Sequence, residues 1–147
     1  MSEVKLWSED ISHKKSIPPK FTDDGEDINP HLAWSDVPPE AKSLALIVDD
    51  PDAPKGTWTH WLVDNIPPRD GQIAQGEIPE GAKLAKNDFG KMVYGGPSPP
   101  SGTHRYFFKL YALDIANIGT TEKKDFYKIV EEHKIDEAQL MGLYSKK

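Results

Sequence analysis

The sequence contains no cysteine. Disulfides, thiolate metal sites and a cysteine nucleophile are thereby excluded, and the composition suits a reducing cytoplasm. No run of 18 apolar residues occurs, so no segment reads as a membrane-spanning helix. The opening residues MSEVKLWSED lack the apolar stretch of a signal peptide. Together these absences predict a cytoplasmic protein without integral membrane association. A basic stripe is missing too: 18 Lys and Arg against 24 Asp and Glu leave a net charge of −6. Such a chain is repelled by nucleic-acid phosphates and anionic bilayers, so no nucleic-acid partner is expected. Neither a GxGxxG nor a GxxxxGK[ST] phosphate loop is present. Proline is absent from residues 101–147, while all 13 prolines lie at or before Pro100.

What is present points to one folded domain, residues 1–147, long enough to bury a core without staples. With 37% hydrophobic residues and 14 aromatic ones (4 Trp, 5 Tyr, 5 Phe), the proline-rich first hundred residues read as rigid loops, not disorder. Strands are predicted at residues 4–7, 43–49 (SLALIVD), 58–66 (WTHWLVDNI), 91–94 and 105–113 (RYFFKLYAL). The second is a continuous apolar run stopped by Asp50-Pro51-Asp52-Ala53-Pro54, so it reads as central and buried on both faces. The last is aromatic on both faces and therefore also central. Long loops without regular βαβ alternation imply an antiparallel or mixed sheet. In the proline-free tail, Phe126, Ile129, Val130 and His133 recur at helical spacing behind Thr121, predicting a capped helix at 121–133. A second short helix is predicted at 137–143.

Three segments place polar groups at the ends of central strands, where loops build sites. They are Asp50 to Pro54, His60 inside an otherwise apolar strand, and the loop from Gly95 to Gly102 that leads into Thr103-His104-Arg105-Tyr106. Asp, His, His, Arg and Tyr could form one small polar pocket. Taken singly, each has a plain structural reading. His60 is a satisfied core histidine, the Asp50/Asp52 pair is turn chemistry, Arg105 bridges one of those aspartates, and the Gly-rich stretch is a surface loop.

These residues carry a resemblance. DPDAP (50–54), THW followed by LV (59–63), NDFG (87–90) and YGGPSPPSGTHRY (94–106) occur in order, after FTDDGEDINPHLAW (21–34). In these motifs the chain resembles the phosphatidylethanolamine-binding protein family, also called Raf kinase inhibitor-like proteins, in its prokaryotic branch. The resemblance implies a mainly β, antiparallel, Greek-key-like fold: a central sheet packed with a smaller one, plus one or two peripheral C-terminal helices. It implies an anion pocket for phosphate, phosphoethanolamine or similar head groups. Carried over residue by residue, that pocket comprises Asp50, His60, Gly96, Pro97, His104 and Tyr106, supported by Asp52, Pro54 and Arg105. Gly96 would offer a backbone N–H to the anion, the histidines would donate hydrogen bonds and, when protonated, add positive charge, and Tyr106 would add a hydroxyl. Asp50 would orient a histidine, or else hold a ligand's ammonium group.

The resemblance further implies a regulatory or inhibitory task on a kinase or protease, and homodimers occur in its prokaryotic branch. Two departures from eukaryotic members weigh against kinase inhibition: only residues 55–59 separate DPDAP from His60, and the chain stops shortly after its last predicted helix. Ser98 stands where prokaryotic members often carry Cys. A serine protease inhibitor acting through its surface, independent of the pocket, is the alternative function. A metal-dependent hydrolase is a further one, since His60, His104 and Asp50 have the ligand types of a metal site. The family pattern instead implies no metal and no cofactor. Catalysis through Ser98 is not expected, because Gly96-Pro97-Ser98-Pro99-Pro100 is not a nucleophile elbow.

Overall fold

The computed structural model describes residues 3–145. Its strands are β1 (Lys5–Trp7), β2 (Leu32–Ser35), β3 (Ser43–Asp50), β4 (Trp58–Ile66), β5 (Gly71–Ile73), β6 (Lys83–Leu84), β7 (Thr103–Leu113) and β8 (Lys134–Ser145). Helix α1 (Lys123–His133) lies between β7 and β8. The strands form two antiparallel sheets, a small one of order β1-β2-β5 and a large one of order β6-β4-β3-β7-β8. The expected mainly β architecture of a central and a smaller sheet is what is observed. No helix among the described residues is long and apolar enough to cross a membrane.

Every residue of β3 is buried because both of its faces are covered. Leu44, Leu46 and Val48 pack with Leu32, Trp34 and Ile73 of the small sheet. Ala45 and Ile47 turn the other way, onto Phe126 and Val130 of α1. Strand β7 repeats this division: Tyr106, Phe108 and Leu110 face the small sheet, Tyr111 and Leu113 the helix. This is the period of two that the pleat imposes.

Strand β4 interrupts the period at a decisive place. Val48 pairs with Trp61, yet Asp49 pairs with Thr59, so His60 is the extra residue of a β-bulge. A bulge lets two neighbours on one strand share a face. Here it keeps Thr59 on the helix face, where its hydroxyl meets Tyr127, and turns His60 onto the face of Tyr106.

Three expectations are corrected, and three strands are added. Residues 137–143 are not helix but the core of β8, which pairs along nearly the whole of β7. Burial there alternates at Leu140, Gly142 and Tyr144, and the aromatic edge of β7 demands a partner that local helix propensity cannot outweigh. Helix α1 starts at Lys123 instead of 121: Thr121 is held as loop by Lys86, whose N–H donates to its carbonyl, and Thr120 Oγ1 accepts the Glu122 N–H. Residues 91–94 form no strand. Asn87 folds them into a compact loop, accepting the N–H groups of Phe89 and Lys91 on Oδ1 and donating to the carbonyls of His60 and Val93. Finally, β2, β5 and β6 were not anticipated from the sequence, being two to four residues long.

Candidate functional site

Pro51 ends β3 at Asp50, and the antiparallel register sets the beginning of β7 beside that end. Alternation along β7 buries His104 and Tyr106 on the face Asp50 shares, and exposes Thr103 and Arg105. His104 Nδ1 lies 2.6 Å from Asp50 Oδ2, and Asp50 Oδ1 accepts the Asp52 N–H at 2.7 Å. The carboxylate is thus committed to orienting a histidine and closing its own turn. The bulge brings His60 edge-on to Tyr106, ring centroids 5.4 Å apart, while His104 stacks on Tyr106 at 6.3 Å. His60 Nδ1–H donates to the Gly95 carbonyl at 2.7 Å, which fixes its ring and leaves Nε2 as the uncommitted nitrogen.

Around these groups lies a cavity of about 210 Å³ lined by Asp50, Pro54, His60, His104 and Tyr106. Ala53, Trp58, Phe89, Ser98, Pro99 and Pro100 complete its walls. Phe89 stands edge-on to both His60 and Trp58, a short aromatic row at the mouth. The Tyr106 hydroxyl is buried and has no hydrogen-bond partner among the described residues. Leaving a buried hydroxyl unpaired costs about 1–3 kcal/mol, so its position calls for an acceptor. Burial, reinforced by Asp50, raises the Tyr106 pKa, and the group remains a donor throughout the physiological range.

Burial likewise holds His60 below the ordinary imidazole value, partly opposed by the bond to Gly95 and by Asp50. The ring is therefore neutral at neutral pH. Asp52 does not face the cavity. Arg105 clamps it with Nε and Nη2 at 2.9 and 2.8 Å and holds its carboxyl down to about 2, so the acid's charge is matched locally.

Of the anticipated residues, the fold brings Asp50, Pro54, His60, His104 and Tyr106 to one cavity, with Asp52 and Arg105 as a brace beside it. Gly96 and Pro97 are not in its lining. The Gly96 N–H is already donated to Asp27 Oδ1 at 2.7 Å, and a Cβ there would sit 2.5 Å from the Phe21 carbonyl oxygen. Gly96 is glycine because the chain packs against residues 21–27, not because an anion approaches it. Pro97 is buried, and its carbonyl accepts the Asp23 N–H. Sequence reasoning missed Trp58 and Phe89. For Trp58 the available signal was an aromatic residue directly before Thr59-His60, and for Phe89 its place inside the motif NDFG (87–90). His60, His104 and Asp50 do not converge on a common point: Asp50 and His104 face each other, and among the described residues no group of three ligand-type side chains has metal-holding geometry.

The profile of the family described as phosphatidylethanolamine-binding protein matches residues 7–145. A UPF0098 protein of Methanothermobacter thermautotrophicus is 49% identical over 96% of this chain and 98% of its own length. Another UPF0098 protein, of Aquifex aeolicus, is 41% identical over 97% and 89%. Among solved structures, a phosphatidylethanolamine-binding protein homologue from Chlamydia trachomatis superposes with a TM-score of 0.91 at 38% identity, covering 100% of both chains. Escherichia coli YbcL, described as a member of the mammalian family, superposes at 0.93 and 30% identity, covering 99% of this chain and 100% of its own.

Proposed function

Because the chain belongs to the phosphatidylethanolamine-binding protein family, we propose that its cavity at the Asp50 end of β3 binds a small anion or a phosphorylated head group. The observation that carries this reading is the buried Tyr106 hydroxyl without an acceptor, on a ring that contacts both histidine rings. A phosphoryl oxygen would satisfy it. The Nε2 atoms of His60 and His104 are the ring positions not spent on protein partners. Neutral, each accepts a hydrogen bond from the O–H of a protonated phosphate; charged, each donates one to an anionic oxygen. Either way the complex holds more protons than its parts, so affinity rises as pH falls through the imidazole range.

Asp50 does not spoil such a site, because its carboxylate faces His104 and the turn. We read the site as one of binding, not catalysis. The Ser98 hydroxyl in its wall donates to Asp23 at 3.2 Å and to no histidine, so no nucleophile is paired with a base.

Titration calorimetry with inorganic phosphate and O-phosphoethanolamine at pH 8 and pH 5.5 tests this. Binding at pH 5.5, weaker at pH 8, and weakened about tenfold or more by Tyr106→Phe is expected, since a hydrogen bond to a charged group contributes about 1.5–3 kcal/mol. Absence of binding at both pH values overturns it. Inhibition of a protease or kinase, if it runs through this cavity, is lost in His60→Ala; inhibition that survives belongs to the surface.

A further inference from the structure

No residue of the segment 21–34 lines the anion cavity, yet this segment reaches His60 through a single peptide unit. His60 and Gly95 are paired twice. The Gly95 N–H donates to the His60 carbonyl at 3.1 Å, and His60 Nδ1–H donates to the Gly95 carbonyl at 2.7 Å. On the far side of that carbonyl's peptide unit, the Gly96 N–H donates to Asp27 Oδ1 at 2.7 Å. Imidazole, peptide and carboxylate form one directed chain of two short hydrogen bonds.

The surroundings leave this chain little freedom. A Cβ on Gly95 would lie 2.6 Å from Phe89 ring atoms, and one on Gly96 would lie 2.5 Å from Asp27 Oδ1 and from the Phe21 carbonyl oxygen. The peptide therefore fits between Phe89 and Asp27 only when both of its Cα atoms are bare. Asp27 takes the left-handed conformation, φ 59°, which Asp, Asn and Gly adopt most readily. Its N–H donates to the Lys20 carbonyl, and the Tyr94 hydroxyl donates to the Phe21 carbonyl, so the two segments are clamped beside the bond.

A carboxylate that accepts a peptide N–H polarises the peptide and makes its carbonyl a stronger acceptor. That acceptor holds the imidazole proton on Nδ1, makes Nε2 more basic and favours the imidazolium. Asp50 does this for His104 directly, at 2.6 Å. Burial lowers the His60 pKa, and the Gly95 bond opposes it, followed by Asp50, Asp49 and Asp27. His104 and Tyr106 of β7 adjoin the same cavity, while Lys91 and Asp23 lie on the Asp27 side of the peptide.

We propose that Asp27 is a positioning residue of the anion site, acting on His60 through the Gly95–Gly96 peptide as Asp50 acts on His104 directly. Its bearing on phosphate rests on the anion-binding reading; the coupling of Asp27 to His60 does not.

Nuclear magnetic resonance of the full-length, ligand-free protein tests the coupling. Asp27→Asn keeps an oxygen for the Gly96 N–H and suits the left-handed conformation, so it removes only the charge. His60 is expected to titrate about half a pH unit lower, a roughly threefold change in its protonation equilibrium. Asp27→Gly removes the acceptor and should move the His60 Nδ1–H resonance upfield as its bond weakens. The Gly96 amide proton should follow the His60 titration in the parent and lose that step in His60→Gln. Asp23→Asn takes the same charge from the same loop, without a bond to this peptide, and should leave His60 unchanged. An unmoved His60 titration in Asp27→Asn, with or without a lower melting temperature, assigns Asp27 to the loop alone and overturns the proposal. An equal shift in Asp23→Asn overturns it too, as an effect of the loop's overall charge.

Phosphate calorimetry between about pH 5.5 and 8 then reads the consequence for binding. The interval over which affinity rises should move to lower pH in Asp27→Asn, together with the His60 titration. A profile that stays in place while the titration shifts overturns the positioning role. A shifted titration in a protein that binds no phosphate refutes the anion cavity and keeps the coupling.

Discussion

Asp49 and Asp50 are adjacent in the chain and equally buried, yet the pleat sends them to opposite faces of the large sheet. On the helix face, Asp49 Oδ2 accepts the Tyr127 hydroxyl at 2.9 Å, and Lys109 Nζ lies 3.1 Å from both carboxylate oxygens. Because Tyr127 donates to Asp49, the Thr59 hydroxyl must donate to Tyr127, at 2.8 Å. The chain continues from the Thr59 N–H to Asp88 and on to Lys123 at 2.7 Å. A cation, a hydroxyl and a loop close on the carboxylate, and α1 is tied to the sheet through it. On the other face, Asp50 has one histidine, and beyond that histidine lie a cavity and a hydroxyl with no acceptor. The charge of Asp49 is answered within the protein, its Oδ1 by the Lys109 ammonium alone and without a hydrogen bond among the described residues, and this network holds the fold. One that stops short of its own donors is arranged for something else.

The strongest way to break this contrast is to remove the two carboxylates in turn. Asp49→Ala leaves the Lys109 ammonium and the Tyr127 hydroxyl without their anion. The expected loss is about 3–5 kcal/mol of unfolding free energy in urea, the usual consequence of orphaning a buried partner. Asp50→Asn keeps the shape and is expected to lose only about 1–2 kcal/mol, while phosphate affinity falls about tenfold or more through the misdirected His104. Equal losses of stability in the two variants would erase the distinction between the faces.

A finer test uses two tyrosines. Tyr127→Phe removes a bond to Asp49 and should cost about 1–2 kcal/mol. Tyr106→Phe removes a hydroxyl that is buried without a partner, so stability should stay level or rise by up to about 1 kcal/mol, as ligand affinity drops. Thermal unfolding of the ligand-free proteins decides; a loss in Tyr106→Phe as large as in Tyr127→Phe would show that its hydroxyl already has a structural partner.

The smallest expected effect is the pH dependence contributed by His60. Its folded pKa is depressed by burial, so below the unfolded value of about 6.5 the unfolded chain binds more protons than the native one. Stability from this residue is therefore complete above that value and is lost as pH falls from about 6.5 toward the folded pKa. Phosphate binding has the opposite sign and strengthens over the same interval. Melting temperatures between pH 5 and 8 should decline on the acid side less steeply in His60→Gln than in the parent. They should recover with added phosphate more at pH 5.5 than at pH 8. An identical acid-side decline in the variant would remove His60 from the account.

Several elements could be read directly from residue order. Strands β3, β4 and β7 were legible because burial on both faces needs only a continuous apolar run, and Pro51 and Pro67 mark where two of them stop. Helix α1 was legible from the spacing of Phe126 and Val130. Strand β8 was not, since its apolar residues also fit a helical face. Gly142 was the signal against it: a glycine is poor helix interior, and here a Cβ would meet Ile17 Cγ1. For the site, Asp50, His104 and Tyr106 could be named because they sit at strand ends in motifs. Gly96 and Pro97, in the same motif, could not be separated from them, because only the packing of residues 21–27 shows that the Gly96 N–H is already taken.

Local chemistry written in the sequence determined where strands stop, which segments carry the polar groups and how the absence of cysteine limits their reactions. The face each group occupies was decided by tertiary structure. By strict alternation from Trp61, His60 would point at the helix and Thr59 at the cavity. The bulge opposite Val48 and Asp49 reverses both. No local preference of Thr-His-Trp encodes that offset. It arises because β3 and β4 satisfy their hydrogen bonds and their core contacts at registers that differ by one residue on the two sides of His60.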